Sequence, residues 1–456
     1  MIARRFLIGL GFIFLVKISS ALGSATNVYI TQTGSPSGQC TTNVQTPAFF
    51  NTAANWGSGS TQIGPGTTVL ICGTFTGAAG ATEFSFQGSG STGNPVILLF
   101  DANAVLTAPY WSANGAISCS GLQYILVNGG ANGTIENTAN GSGLTYEQTS
   151  IGVLGANCYN SQVENLTIKN IYINQGSSSG ATDINGQSTA GIEFTGTSTN
   201  NAINGNTISQ AKTGVLVSAD ANADASNLQI YGNNISDIDW GVNVGGGDAG
   251  DTLTNVVIHD NTITNWTNWQ FPTATYHQDG IIVYNFATGS VPFSGMFYNN
   301  YIYGDLGVGS PTGFIYCAQN ASCEMFNNLL VNTGHVIYGI IWDGTHLSGS
   351  KIYNNTIIGI ASDLAITLGT AVKTSAASQV AIQNNIVLGP NVGIHDYSTL
   401  TSDVSVSDYN VWRTASGTSP QMATNDSTFV SYANWKAGGF DAASTNADPK
   451  LSAITL

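Results

Sequence analysis

An asparagine recurs seven times between residues 206 and 385, each time in the same hydrophobic setting. Each one follows an apolar residue by three positions and precedes another by two, as in Ile203–Asn206–Ile208. The seven residues are Asn206, Asn233, Asn261, Asn300, Asn328, Asn355 and Asn385. Intervals of about 27 to 39 residues are typical of a solenoid, in which a coil buries its apolar residues only by stacking on the next coil. Asparagine tolerates a left-handed bend, and its amide can bond to the coils above and below.

A second strand is predicted in each coil from about residue 190, starting at a glycine. The glycines are Gly191, Gly214, Gly241, Gly280 and Gly313. No compositional break divides the coils, so we expect one elongated domain over residues 61–411. Residues 26–60, with a short amphipathic helix at Thr46–Asn55, are predicted to cap its open end, and residues 412–456 to close the other.

Composition agrees with an all-β chain, since only 8% of the residues are charged and 55 are glycine. Residues 1–25 have two arginines, a short apolar run and small residues, which is typical of a secretory signal peptide. A single N-terminal membrane anchor is the alternative. No second long apolar segment follows, so we expect no membrane span in the mature chain. The mature protein is expected to be a monomer, either extracellular or periplasmic.

The charge of the mature chain excludes some classes of partner. Removal of residues 1–25 takes away three of the ten basic residues and none of the 25 acidic ones. The resulting net charge near −18 repels nucleic acids and anionic membranes.

The six cysteines are an even number in an exported chain, which favours disulfides. Of the fifteen pairings that six cysteines allow, we expect Cys40–Cys72, Cys119–Cys158 and Cys317–Cys323.

These coils resemble those of right-handed parallel β-helix proteins of the pectate-lyase-like superfamily. The segments NVYITQTGSPSG, PAFFNTAANW and IGPGTTVLICGTF resemble their N-terminal cap and first coil, and NWKAGGFDAASTNADPKL resembles their closing segment. The resemblance implies a right-handed parallel β-helix, here of about twelve coils. It does not extend to either named enzyme family. Arg413 alone could match the arginine base of the pectate lyases, and it lies in the final coil. The motif set of the polygalacturonases is not found.

Alignment of the coils on the strand-opening glycine brings together a cluster of polar residues. Lys212 and Asp239 lie two positions before a glycine, and Trp240 and Asp279 lie one position before. Coils are about 4.8 Å apart, so these residues and His277 should fall within roughly 10 Å of one another. Asp239 and Asp279 could be the acid and base of an inverting glycosidase. Alternatively, Lys212 or His277 could remove a proton alpha to a uronate carboxylate.

That cluster also has a purely structural interpretation. Lys212 and Asp239 could form a surface salt bridge while Asp279 caps a turn. The position of the side chains decides between the two, because both carboxylates must face one open groove in the enzyme.

An insertion of eleven residues separates Ile263 from Gly280 relative to the neighbouring coils, and it is rich in aromatic residues. Insertions in solenoids form loops, often on the binding face. With Trp240, the rings of Trp266, Trp269 and Tyr276 could form a platform for sugars. They could equally pack the loop onto the coil wall.

Four carboxylates follow the second strand in two adjacent coils, namely Asp220, Asp224, Asp248 and Asp251. Carboxylates on neighbouring loops could bind Ca²⁺ and so bridge an acidic protein to an anionic sugar. Solvated acidic loops are the alternative.

The sequence therefore predicts a secreted protein that degrades an extracellular polysaccharide as a lyase or a glycoside hydrolase. The rival hypothesis is a non-catalytic surface adhesin or glycan-binding protein. It is favoured by the low charge and by the lack of a recognised catalytic motif.

Overall fold

The computed structural model describes residues 26–174, 189–248, 250–267, 278–285, 293–307, 311–318, 321–343, 349–369, 379–397, 403–424 and 428–451. Three long sheets run along it, and every strand pairing is parallel except the last hairpin. Consecutive strands of one sheet are a full coil apart in sequence, so the predicted parallel β-helix is confirmed.

Sheet 1 contains the strand that precedes each repeated asparagine. Its thirteen strands are Asn27–Ile30, Thr68–Ile71, Val96–Phe100, Ile125–Asn128, Gln162–Glu164, Ala202–Asn204, Gln229–Tyr231, Val256–His259, Phe293–Tyr298, Ala321–Phe326, Lys351–Tyr353, Val380–Gln383 and Val404–Asp408.

Sheet 2 contains the strand that follows each repeated asparagine. Its twelve strands are Thr74–Thr76, Val105–Ala108, Thr134–Asn137, Thr167–Lys169, Thr207–Ser209, Asn234–Ile238, Thr262–Trp266, Tyr301–Gly304, Leu329–Asn332, Thr356–Ile358, Ile386–Gly389 and Val411–Thr414.

Sheet 3 contains the strands that were predicted to start at glycine, and these begin one or two residues before it. Its thirteen strands are Phe84–Ser85, Ile117–Ser118, Ile151–Ala156, Ala190–Thr195, Thr213–Ala219, Trp240–Gly246, Gln278–Asn285, Pro311–Cys317, Ile341–Asp343, Leu364–Leu368, Val392–Asp396, Gln421–Thr424 and Thr428–Val430.

Branched apolar side chains from all three sheets fill the interior in rows, one residue per coil. On sheet 2 one row includes Ile208, Ile235 and Ile263, which pair in register and are fully buried. Each such side chain contributes about 1.5–3 kcal/mol of burial energy. The two-residue period of a strand sends the intervening residues to the outer surface.

The repeated asparagines form one continuous ladder in the interior of the turn between sheets 1 and 2. Each Nδ2 donates to the Oδ1 of the next asparagine at 2.9–3.1 Å, from Asn206 to Asn385, and the ladder then continues to Asn410. The left-handed bend, however, lies one residue earlier than expected. It is occupied by Gly205, Gly232, Asp260, Asn299, Asn327, Asn354 and Asn384. The ladder asparagine supplies hydrogen bonds within the turn, and the residue before it adopts the left-handed backbone conformation.

Short helices lie at both ends of the chain. Helix α1 (Pro47–Phe50) and a 3-10 helix (Ala53–Asn55) occupy the expected helical segment, and helix α2 (Tyr432–Ala437) lies near the C-terminus. The ring of Phe50 is buried 5.3 Å from that of Phe84, in the terminal strand of sheet 3. Capping by this segment stays a prediction. Sheet pairing extends beyond the expected bounds of the coils, from Asn27–Ile30 to Thr428–Val430.

Two of the three expected disulfides are present, Cys40–Cys72 and Cys317–Cys323. Cys119 and Cys158 are buried free thiols, and the Cys119 side chain is hydrogen-bonded to Cys158. That contact, with burial, raises the pKa of Cys119 well above its usual value. The third pair is thus adjacent, but it is not bonded.

In the described parts of the chain, no helix has the length and apolar character needed to cross a membrane.

Candidate functional site

The polar cluster predicted from the coil alignment is assembled in space as expected. Trp240 pairs with Thr213 on one side and with Asp279 on the other. The backbone N–H of Asp239 donates to the carbonyl of Lys212 at 2.9 Å, and that of Asp279 donates to the carbonyl of Asp239 at 3.2 Å. Proximity was therefore predicted correctly for the four described members, and for His277 it stays a prediction.

The side chains of this cluster do not line an open groove. Lys212 and Asp239 are each 1% exposed and Asp279 is 0% exposed. The Lys212 ammonium lies 4.9 Å from the centroid of the Trp240 ring, and Asp279 accepts a hydrogen bond from the Thr312 hydroxyl. None of the three reaches the surface, so in the described structure they do not face an open groove as expected. Their alignment predicted which residues are neighbours, but it did not predict that their side chains are covered.

Of the aromatic residues proposed for sugar binding, Trp266 is packed onto the coil. Its indole N–H donates to the carbonyl of Asp279 at 3.2 Å, and its ring stacks on Phe314 at 5.5 Å. Trp240 is half-buried. Trp269, Tyr276 and His277 lie outside the described residues, so their predicted roles stay predictions.

The four carboxylates proposed for Ca²⁺ serve the turns that follow sheet 3. Asp251 is fully buried and accepts hydrogen bonds from the N–H groups of Ala223, Gly247 and Asp248. Asp248 and Asp224 each accept one backbone N–H, and Asp220 accepts the Ser218 hydroxyl. No three His, Cys, Asp or Glu side chains converge on a metal position within the described ranges. This donor set fits turn capping better than a metal site, and the calcium hypothesis stays untested.

The outer face of sheet 3 presents a different row of side chains, one from each of eight successive coils. We call it the outer row: Glu193, Leu216, Asn243, Ile282, Tyr316, Trp342, Thr367 and His395. These residues alternate with the buried row that contains Ile192, Val215 and Val242, so they lie on the outer side of the sheet. Glu193, Leu216, Tyr316 and Trp342 are half-buried there, whereas Asn243, Ile282, Thr367 and His395 are buried.

A carboxyl pair lies at the N-terminal end of the outer row. Glu193 is half-buried and Asp220, in the next coil, is exposed. Burial first, and the charge of Asp220 second, raise the pKa of Glu193 to about 7. The same two causes raise the pKa of the Tyr284 phenol. The Asp220 carboxylate accepts a hydrogen bond from Ser218, which pairs with Thr195, two residues after Glu193. Asp220 therefore lies one coil from Glu193 at this end of the row.

Two further features shape this end of the row. The Tyr284 ring lies directly over Gly245, where a Cβ atom would collide with it, so only glycine allows this close approach. Asn243 is 4% exposed, and its Oδ1 has no hydrogen-bond partner among the described residues. A buried amide oxygen without a partner is costly.

Aromatic rings lie further along the row. Tyr316 and Trp342 are half-buried, with ring centroids 4.9 Å apart, and the ring of the exposed Tyr397 lies 6.1 Å from that of Trp342. Burial, then the charges of Asp279 and Tyr397, raise the pKa of Tyr316 to about 12. Its phenol thus keeps its proton at neutral pH and can donate a hydrogen bond.

Sheet 1 bears a second aromatic surface, but its rings stack on one another. They are Tyr231, His259, Tyr298, Phe326 and Tyr353, with successive centroids 4.7–5.0 Å apart and planes within 12°. The inner rings have both faces occupied and present only their edges. This stack is therefore a poorer sugar platform than the outer row.

The pair Glu193 and Asp220 can perform acid–base chemistry, because one group can hold a proton at neutral pH while the other is exposed to water. The sequence contained a signal for Glu193 that was missed. It stands between Ile192 and Phe194, and strand alternation places such a polar residue on the outer face.

Comparisons with protein-family models, curated proteins and solved structures each give no match. Function must therefore be inferred from the geometry of the chain itself.

Proposed function

We propose that this protein is secreted, binds an extracellular polysaccharide along the outer row of sheet 3 and hydrolyses it with Glu193 and Asp220. One observation carries the proposal. A single row of outward side chains joins a carboxyl pair to the rings of Tyr316 and Trp342. At about 4.8 Å per coil, Glu193 and Trp342 are roughly 24 Å apart, so the ligand is an extended chain.

The roles follow from the environments of the two carboxyl groups. Glu193 holds a proton near neutral pH and donates it to the leaving glycosidic oxygen as that bond breaks. Asp220 accepts a proton from the water that forms the new bond to the anomeric carbon. One water is consumed, and each carboxyl group returns to its starting state once the two protons re-equilibrate with solvent.

Hydrolysis fits these residues better than β-elimination does. Elimination needs a base that reaches the proton alpha to the uronate carboxylate. Lys212, the expected base that is described, is 1% exposed. The outer row from Glu193 to His395 contains no lysine or arginine.

A glycan-binding protein without catalysis is the second candidate, and the aromatic end of the row favours it. Tyr316 and Trp342 would hold a sugar chain whether or not it is cleaved. Substitution of Glu193 distinguishes the two hypotheses, because only the enzyme needs a proton from this side chain.

The test is to incubate the mature protein with a panel of polysaccharides and to measure both reducing ends and unsaturated-product absorbance, with Ca²⁺ or with a chelator. Reducing ends without absorbance, lost in Glu193→Gln, support hydrolysis. Absorbance would instead indicate a lyase, and loss with the chelator would revive the calcium site. Retention on a polysaccharide that is never cleaved would identify a binding protein.

A further inference from the structure

We infer that the substrate is an uncharged glycan, without carboxylate or sulfate groups on the sugars that contact the outer row. This inference rests on the proposed function and specifies its substrate class.

The basic side chains that the structure describes, apart from Lys212, lie away from the outer row. Seven lysines and arginines follow residue 25: Lys169, Lys212, Lys351, Lys373, Arg413, Lys436 and Lys450. Lys169 on sheet 2 pairs with Glu136 at 3.0 Å, and Lys351 on sheet 1 pairs with Glu324 at 2.5 Å. Arg413 is on sheet 2, Lys436 is in helix α2 and Lys450 follows it. Lys373 lies outside the described residues.

Lys212 differs from the other described basic residues because it lies next to sheet 3, but its ammonium group is buried. It precedes the Thr213–Ala219 strand of sheet 3, with 1% of its surface exposed and its ammonium against the Trp240 ring. A buried ammonium cannot form the direct ion pair that a carboxylate on a sugar needs.

The charges that reach this face from the described residues are negative. Asp220 is exposed, and Glu193 adds a second charge once it loses its proton. A polymer with one anion per sugar would bring several negative charges along about 24 Å of this surface. Each would be repelled by the carboxylates and by the net negative charge of the chain. The half-buried aromatic side chains of the row, Tyr316 and Trp342, instead match hydroxyl groups and sugar faces.

The test uses pairs of polysaccharides that share a backbone and differ in charge: xylan with glucuronoxylan, and dextran with dextran sulfate. Binding is measured with the Glu193→Gln variant of the full mature chain, and cleavage is measured with the wild-type protein. At pH 7.5, most histidine side chains in water are neutral. Salt is raised from about 20 to about 300 mM, which shortens the Debye length from about 20 to about 6 Å.

We expect one uncharged polymer to bind with an affinity independent of salt. Its charged partner should bind at least about tenfold more weakly at low salt and recover part of that loss at high salt. Tighter binding of the charged partner at low salt, or binding that weakens as salt rises, overturns the inference.

A lysine placed beside the pair tests whether charge is what excludes the anionic polymers. Thr195, half-buried on the outer face two residues after Glu193, pairs with Ser218. In the Glu193→Gln background, Thr195→Lys should strengthen binding of the anionic partner about fivefold. Its matched control, Thr195→Gln, should leave that affinity unchanged. Equal affinities for the two folded variants contradict the charge argument.

The outcomes for substrate and function are separable. Wild-type cleavage of a charged polymer, with its uncharged partner left intact, refutes the uncharged substrate and keeps the hydrolase. Binding of an uncharged polymer that wild type never cleaves refutes the hydrolase and keeps the ligand class. No binding to any polymer contradicts both.

Discussion

Two groups of carboxylates lie on neighbouring coils of this β-helix and differ in what surrounds them. Asp251 and Asp279 are 0% exposed and accept hydrogen bonds from the chain itself. Glu193 and Asp220 lie at the outer face, and burial together with the charge of Asp220 raises the pKa of Glu193 to about 7.

The difference separates structural acids from candidate catalytic ones. A carboxylate whose oxygens accept backbone N–H groups is held in place, and its loss leaves buried donors unsatisfied. A carboxyl group near a like charge, with access to solvent, can exchange a proton at neutral pH. Acidic residues close in space therefore need not share a function.

The largest expected effect is on activity at the outer pair. Glu193→Gln keeps the shape of the side chain but has no proton to donate, so kcat should fall about 10²- to 10⁴-fold. Asp239→Asn is the control, and kcat per folded molecule should stay near that of wild type because Asp239 is 1% exposed. If Asp239→Asn removes activity and Glu193→Gln does not, the buried cluster is the site.

The next largest effect is expected on the free energy of unfolding, when the buried carboxylate of Asp251 is removed. Asp251→Ala leaves three backbone N–H groups without their acceptor, which should lower the free energy of unfolding by about 3–5 kcal/mol. Urea unfolding with and without EDTA measures it. The exposed Asp248 accepts one N–H, so Asp248→Ala should cost less than about 1 kcal/mol. A strong effect of EDTA on wild type would show that these carboxylates hold a metal after all.

A third effect is the pH dependence of catalysis. Glu193 must be protonated to act as the acid, so kcat/KM should fall about tenfold per pH unit above its pKa of about 7. The profile is measured at constant ionic strength on an uncharged polymer. A rate that stays constant to pH 9 would exclude Glu193 as the proton donor.

The smallest expected effect is on the folding stability of Glu193→Gln. The folded protein raises the pKa of Glu193 from 4.5 to about 7, so it binds this proton more tightly than the unfolded chain does. The resulting stability is fully present below pH 4.5 and lost as pH rises to about 7. Glu193→Gln should therefore unfold with about 2 kcal/mol more free energy than wild type at pH 8, after allowance for partial exposure to water. At pH 4 the two should agree, and a gain at pH 4 would point to packing instead of charge.

The sequence-based predictions succeeded where a periodic pattern carries the information. The asparagine repeat predicted the coil stack and the ladder, and the glycine alignment predicted that Trp240 pairs with Asp279. They failed on the exposure of the side chains next to those glycines. Strand alternation says nothing about Lys212 and Asp239, because both lie just before their strands begin, at Thr213 and Trp240.

The amino-acid sequence by itself determined the architecture, because one coil cannot bury its apolar residues without the next and the repeat therefore fixes the stacking. It also determined the scarcity of cations on which the uncharged-substrate proposal depends. Only the tertiary structure decided which carboxylates accept hydrogen bonds from backbone N–H groups and which are exposed to water. That depends on turns that contact residues one coil away, as Asp251 does with Ala223. Such contacts join residues about 28 positions apart, beyond the reach of any local pattern.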